Sequence, residues 1–201
     1  MAFAKQLLFL GLLIIFHAGK GQSPVNRMLR ISEDVYKFTF SMPEGYHECD
    51  SGFTFYCRDS KLSSGISYSI IKSDSSVKIG LSFIPVMSHT TERNLRLFFS
   101  KIDNPPRNAA YFRNAEYLAD TVHSIIEYYD SVYVRNKFNA DHGLSISRDC
   151  KVPYQIWDHN RMVFLAKDDN CHIELTYLFT EKARKNIAEE IRRTEGMIRF
   201  K

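Results

Sequence analysis

The 201-residue chain is poor in the features that announce the commonest kinds of site. Glycine is scarce, at nine residues, and none of the nine is spaced as a phosphate-cradling loop, so a nucleotide site of the usual kind is not expected. The four cysteines include no C-x2-C pair, and the histidines include no H-x3-H or H-E-x-x-H spacing, so neither zinc nor another resident metal is expected. Gly143-Leu144-Ser145-Ile146-Ser147 begins like a nucleophile elbow but lacks the second glycine that makes the strained turn. No strong excess of one charge exists. Without Lys5 and Lys20, both in the leader described next, 25 of the 27 basic residues face 23 acidic ones, and a nucleic-acid binder needs a marked basic excess. The longest apolar run, residues 7–16, holds ten residues, against the roughly 20 a membrane-spanning helix requires.

What is present begins with that run. It follows Lys5 and ends in small residues at Ala18, Gly19 and Gly21, the pattern of a secretory signal peptide. Cleavage is expected after Gly21, with Ala18 as the alternative. Residues 1–21 are then the signal and residues 22–201 a single domain, secreted or periplasmic, soluble and without a membrane span. An even cysteine count in an exported chain argues for disulfides. Of the three pairings open to Cys49, Cys57, Cys150 and Cys171, the two that close local loops are preferred: Cys49–Cys57 and Cys150–Cys171.

The hydrophobic pattern alternates early and late. Residues 22–28 read as a loose leader. Tyr36, Phe38 and Phe40 alternate with polar residues and predict a strand over 36–41, closed by Met42-Pro43-Glu44-Gly45. A second strand is expected over 53–58 and a hairpin over 66–72 and 77–86, with Val77, Ile79, Leu81 and Phe83 on one face. Leu95, Phe98, Phe99 and Ile102 then fall at helical spacing. A longer stripe predicts a helix over 107–130, although the β-branched and aromatic content of 121–129 also suits a strand. Residues 132–134 read as a short strand and 139–143 as a turn. Segments 154–157, 162–167 and 171–179 read as an antiparallel meander, broken at Asp158-His159-Asn160 and at Asp168-Asp169-Asn170. A final helix over 181–194, capped by Thr180, precedes an extended tail at 197–201 that returns to a sheet edge. The class is α+β: a mostly antiparallel sheet covered by helices in a layered sandwich.

The strand running into Met42-Pro43-Glu44-Gly45-Tyr46, together with Glu174-Leu175-Thr176-Tyr177, the terminal helix and Met197-Ile198-Arg199-Phe200, resembles the PsbP-like superfamily of extracytoplasmic α/β/α sandwich domains. The resemblance covers about a third of the chain. It implies a layered fold and a binding or assembly role, and it transfers no site residues.

Aromatic residues supply the candidate site. Tyr and Trp are rigid, amphipathic contact residues favoured at interfaces. Tyr154, Trp157 and His159 fall together in the meander, and Tyr133 and His142 lead toward them. These five are the expected recognition patch, with Trp157 exposed. The function expected is a non-enzymatic binding or assembly module that recognises a protein or a small apolar ligand, needs no cofactor and has no catalytic residues. The alternative is a small secreted hydrolase or metal-dependent enzyme built on the His and Asp turns. The two are separated by whether His142, His159 and His172 point into one cleft.

Overall fold

A computed structural model describes residues 24–49, 53–56, 63–85, 124–168 and 170–201. The signal segment, Cys57, the stripe from Leu95 to Ile102 and most of the helix expected over 107–130 lie outside them.

The architecture is α+β. Seven antiparallel strands form the main sheet in the order β2 (Tyr46–Cys49), β5 (Tyr68–Lys72), β6 (Val77–Pro85), β10 (Cys171–Phe179), β9 (Trp157–Lys167), β8 (His142–Tyr154) and β7 (Ile125–Tyr128). Two small sheets flank it, one pairing β1 (Phe38–Phe40) with β11 (Ile198–Phe200), the other β3 (Phe53–Tyr56) with β4 (Ser63–Ile66). The helices are α1 (Pro24–Tyr36), α2 (Ser131–Phe138), α3 (Glu181–Arg184) and α4 (Ile187–Thr194).

Alternation along the strands divides the sheet into two faces. The first carries Tyr68, Ile70, Ile79, Leu81, Val163, Leu165, Ile173, Leu175 and Tyr177. Over it lie Val134 and Phe138 of α2, Ile191 of α4, Leu29 of α1, and Phe38, Ile198 and Phe200 of the β1–β11 sheet. The second face packs Leu144, Ile146, Met162, Phe164 and Leu178 against Phe55 of the β3–β4 sheet.

Several local expectations change. Residues 22–28 read as leader, yet α1 starts at Pro24. The 125–128 segment is strand and not helix, because its β-branched and aromatic side chains pair with 144–147 at the sheet edge. Residues 132–134 lie in a helix. The Asp130 carboxylate accepts from the Val132 and Tyr133 amides, and Asn139 ends the helix in the left-handed region at φ 51°. Those caps outweigh two β-branched valines. Asp158-His159-Asn160 lies inside β9; the chain turns at Gln155-Ile156, where Gln155 takes φ 58° and Tyr154 pairs with Trp157. The terminal helix is two pieces. Thr180 makes no side-chain cap, and the Glu181 amide donates instead to Asp158. The tail does return to an edge, antiparallel to β1.

Of the two expected disulfides, Cys49–Cys57 involves a residue outside the described ones, and Cys150–Cys171 does not fit the strand register. Cys49 and Cys171 are free thiols. Cys150 follows Asp149, which pairs with His159, whereas Cys171 pairs with Lys167 at the other end of β9. Eight residues of strand, roughly 27 Å, separate those rows, and a disulfide needs Cα atoms within about 7 Å.

Candidate functional site

The second face of the sheet differs from an ordinary core face. Between its apolar residues β6 places Lys78 and Ser82, β10 places His172, Glu174 and Thr176, β9 places Asn160, β8 places Arg148 and β5 places Ser69, and all eight are buried. The cross-strand registers put them in rows. Ser69, Gly80 and Thr176 stand side by side, as do Lys78, Leu178, Asn160 and Arg148.

One part of this face is bonded internally. The Ser64 hydroxyl of β4 donates to Glu174 at 2.7 Å and lies 3.1 Å from the Ser82 hydroxyl, which donates to the Gly65 carbonyl at 2.7 Å. These bonds hold the β3–β4 sheet against the main one. Close approach does the same at Gly80, where a Cβ would lie 2.6 Å from Ile66 Cδ1, so only glycine fits without displacing Ile66. Asn160 donates to the Arg148 carbonyl at 2.7 Å.

The other part is not satisfied. The hydroxyls of Ser69 and Thr176, on either side of Gly80, are buried and have no hydrogen-bond partner. The Lys78 ammonium lies 4.1 Å from the centroid of the Phe53 ring and 5.4 Å from that of Trp157. Unpaired buried polar groups are uncommon in native folds and each calls for an explanation.

The five residues of the expected patch do not form one surface. Trp157 is 5% exposed and belongs to the second-face core. Its exposure was misread because the turn beside it, Gln155-Ile156, carries no glycine or asparagine to mark it. His159 is 8% exposed, stacks on Phe179 and meets Glu181 at 2.5 Å. That contact holds the Glu181 carboxyl below its usual range. Tyr154 is placed by its backbone pairing with Trp157. His142 lies at the other end of β8, opposite Ala166 and 3.5 Å from Asp168. Tyr133 stands on α2, over the first face, and donates to Glu195 at 2.5 Å. Burial, with the Glu195 bond and charge, pushes its phenol well above the ordinary value.

His142 and His172 flank Ala166 in one row, whereas His159 lies seven residues along β9, roughly 24 Å away. Burial pushes His172 down to about 4, against the opposing pull of Asp168. The three histidines therefore do not share a cleft.

In its fold the chain is similar to a cyanobacterial PsbP. That match, to the solution structure of PsbP from Synechocystis sp. PCC 6803, covers 83% of this chain and 94% of that one, at a TM-score of 0.39 and 7% identity. It is a loose likeness of fold and carries no argument about function. No family model matches the chain, and no curated protein does.

A concavity of about 130 Å³ opens beside α4 and is lined by Lys72, Asp74, Lys182, Asn186 and Glu190. Two of its charges, Lys72 and Glu190, are already paired. Glu190 accepts from Lys72 at 2.9 Å, Tyr46 at 2.8 Å and Arg193 at 2.6 Å, and these bonds overcome burial to hold its carboxyl below the usual range. It is a structural clasp.

The signal that would have found the second face was in the alternation. Lys78, Gly80 and Ser82 interleave with Val77, Ile79 and Leu81, and His172, Glu174 and Thr176 with Ile173, Leu175 and Tyr177. A polar alternate set suggests a face turned to water, and here it is buried.

Proposed function

We propose that the chain is an exported, non-enzymatic binding module, secreted or periplasmic, and that it engages its ligand or partner through the second face of the sheet. The carrying observation is that this face buries two hydroxyls lacking protein partners, those of Ser69 and Thr176 on either side of Gly80. Polar groups withdrawn from water and left unmatched are what a recognition site presents before its ligand arrives. The leader at residues 1–21 supports export, and no helix among the described residues is long and apolar enough to cross a membrane. The separation of His159 from His142 and His172 gives no support to the hydrolase or metal-enzyme reading.

The test is mass spectrometry of the protein recovered from its own host. The intact mass is expected to begin at Gln22. Under native conditions a noncovalent adduct is expected, lost on denaturation. A full-length chain in the membrane fraction overturns the export. Turnover of ester or peptide substrates by the wild type, abolished in His159→Ala, overturns the non-enzymatic reading.

A further inference from the structure

The pairing of β1 with β11 gathers cations that lie far apart in the sequence. Period two turns Phe38, Phe40, Ile198 and Phe200 inward, so Thr39 and Arg199, which are cross-strand partners, face out. The next row sets Lys37 beside Lys201, whose amide donates to the Lys37 carbonyl at 2.8 Å. The C-terminal turn of α2 completes the group. Its Asn136 and Lys137 carbonyls accept from the Arg199 guanidinium at 2.6 and 2.9 Å, and Arg135 lies in the same turn.

Lys37, Arg135, Arg199 and Lys201 are all exposed, and no carboxylate of the described residues pairs with any of them. The neighbouring acids are engaged elsewhere. Glu33 accepts from the Phe40 amide at 2.7 Å, and Glu195 accepts from Tyr133 and lies 3.5 Å from Lys137. Like charges side by side on a sheet repel. The chain as a whole is close to charge balance, yet this face is positive and unmatched.

The helix α1 adds a second property. It runs into β1 through Lys37, and its Ile31 and Val35, one turn apart, are 54% and 59% exposed. Arg27 and Arg30 of the same helix are exposed without a carboxylate partner, against one exposed acid, Asp34. An acidic polypeptide would need the cations alone. An anionic bilayer takes both, the cations among its headgroups and the apolar side chains at the acyl boundary.

We propose that the outer face of the β1–β11 sheet, with the C-terminal turn of α2 and the exposed side of α1, docks on an anionic lipid bilayer. The contact is peripheral and spans nothing. It does not depend on what the second face of the main sheet binds.

The experiment sediments the exported protein with vesicles of phosphatidylcholine, alone or mixed with an equal share of phosphatidylglycerol. Binding is expected to the anionic vesicles only, and to fall steeply at about 1 M salt, where the screening length shrinks to about 3 Å. Lys37→Gln/Lys201→Gln is expected to weaken it about 25-fold, at about fivefold per cation. Ile31→Ser/Val35→Ser is expected to weaken it with every charge intact. The control, Lys182→Gln/Lys185→Gln, removes as many charges beyond the Phe179 end of β10. Lys37 stands at the Cys171 end, where Asn170 donates to the Tyr36 carbonyl, roughly 27 Å away along the strand. That variant is expected to bind as the wild type does. All the substituted side chains are exposed, so melting temperatures are expected to hold. Equal sedimentation with both kinds of vesicle, or with neither, overturns the docking surface. So does binding unchanged in Lys37→Gln/Lys201→Gln or in Ile31→Ser/Val35→Ser, or an equal loss in the control. Capture by immobilised polyglutamate without binding to anionic vesicles overturns the bilayer and assigns the face to an acidic polypeptide.

Discussion

His172 makes acid stability a direct test of the buried polar face. Burial holds its folded-state pKa at about 4, against an ordinary value of 6.5. Above 6.5 both folded and unfolded chains hold it neutral, and it contributes no pH dependence. Between 6.5 and 4 the unfolded chain binds the proton and the folded one does not, so stability falls as pH falls. Below 4 the loss saturates. At 1.36 kcal/mol per unit, the full loss is about 3 kcal/mol. Asp168 opposes the effect and His142 reinforces it, both from the same end of the sheet. The perturbation is His172→Gln, which keeps hydrogen-bonding capacity and removes the titration. The assay is urea unfolding of both proteins at half-unit steps from pH 7.5 to 3.5. Any constant cost of the substitution cancels in the slope, as do the carboxylates the two proteins share. The wild type is expected to lose up to about 3 kcal/mol more than the variant across that window. Parallel curves would refute the buried, neutral histidine.

Trp157→Ala is expected to cost about 3–5 kcal/mol by emptying a core position, read as a large drop in melting temperature, and a wild-type melt would return Trp157 to the surface. Gly80→Ala forces a Cβ against Ile66 and is expected to cost about 1–3 kcal/mol, with partial recovery in the Gly80→Ala/Ile66→Val double variant. Cys171 is buried, and burial pushes its thiol up to about 12, so alkylation followed by peptide mapping is expected to find it unmodified in the native protein at pH 8 and modified after unfolding. Prompt native labelling, or a mapped Cys150–Cys171 bridge, would contradict the strand register.

The sheet was legible where one face is continuously apolar. The Ile173-Leu175-Tyr177-Phe179 stripe predicts 171–179 as a strand, and β10 has those bounds. The hairpin around 73–76 was equally plain, since turn formers separate two apolar runs. Readings failed where a local device outweighed composition. Asp130 and Asn139 cap a helix through valines, and Gln155 takes a left-handed turn without the residues that advertise one. The buried polar face was not legible for another reason. Alternation shows that Lys78, Glu174 and Thr176 share a face opposite the main core, but not that a second layer covers it. That layer's contacts, Ser64 to Glu174 and Ile66 to Gly80, join residues far apart in sequence and leave no local periodicity to read.

The pairing of β1 with β11 sets an order on events in time. Thr39 and Arg199, 160 residues apart, are bonded neighbours, and the Ser41 amide donates to the Met197 carbonyl. A chain that emerges from a ribosome or crosses a membrane from its N-terminal side exposes β1 long before its partner exists. Phe38 and Phe40 must then wait, solvated or shielded by another protein, until residues 198–200 arrive. This small sheet is therefore completed only once residues 198–200 have been made, and a chain that stops before Ile198 keeps every strand of the large sheet yet leaves its first one without a mate.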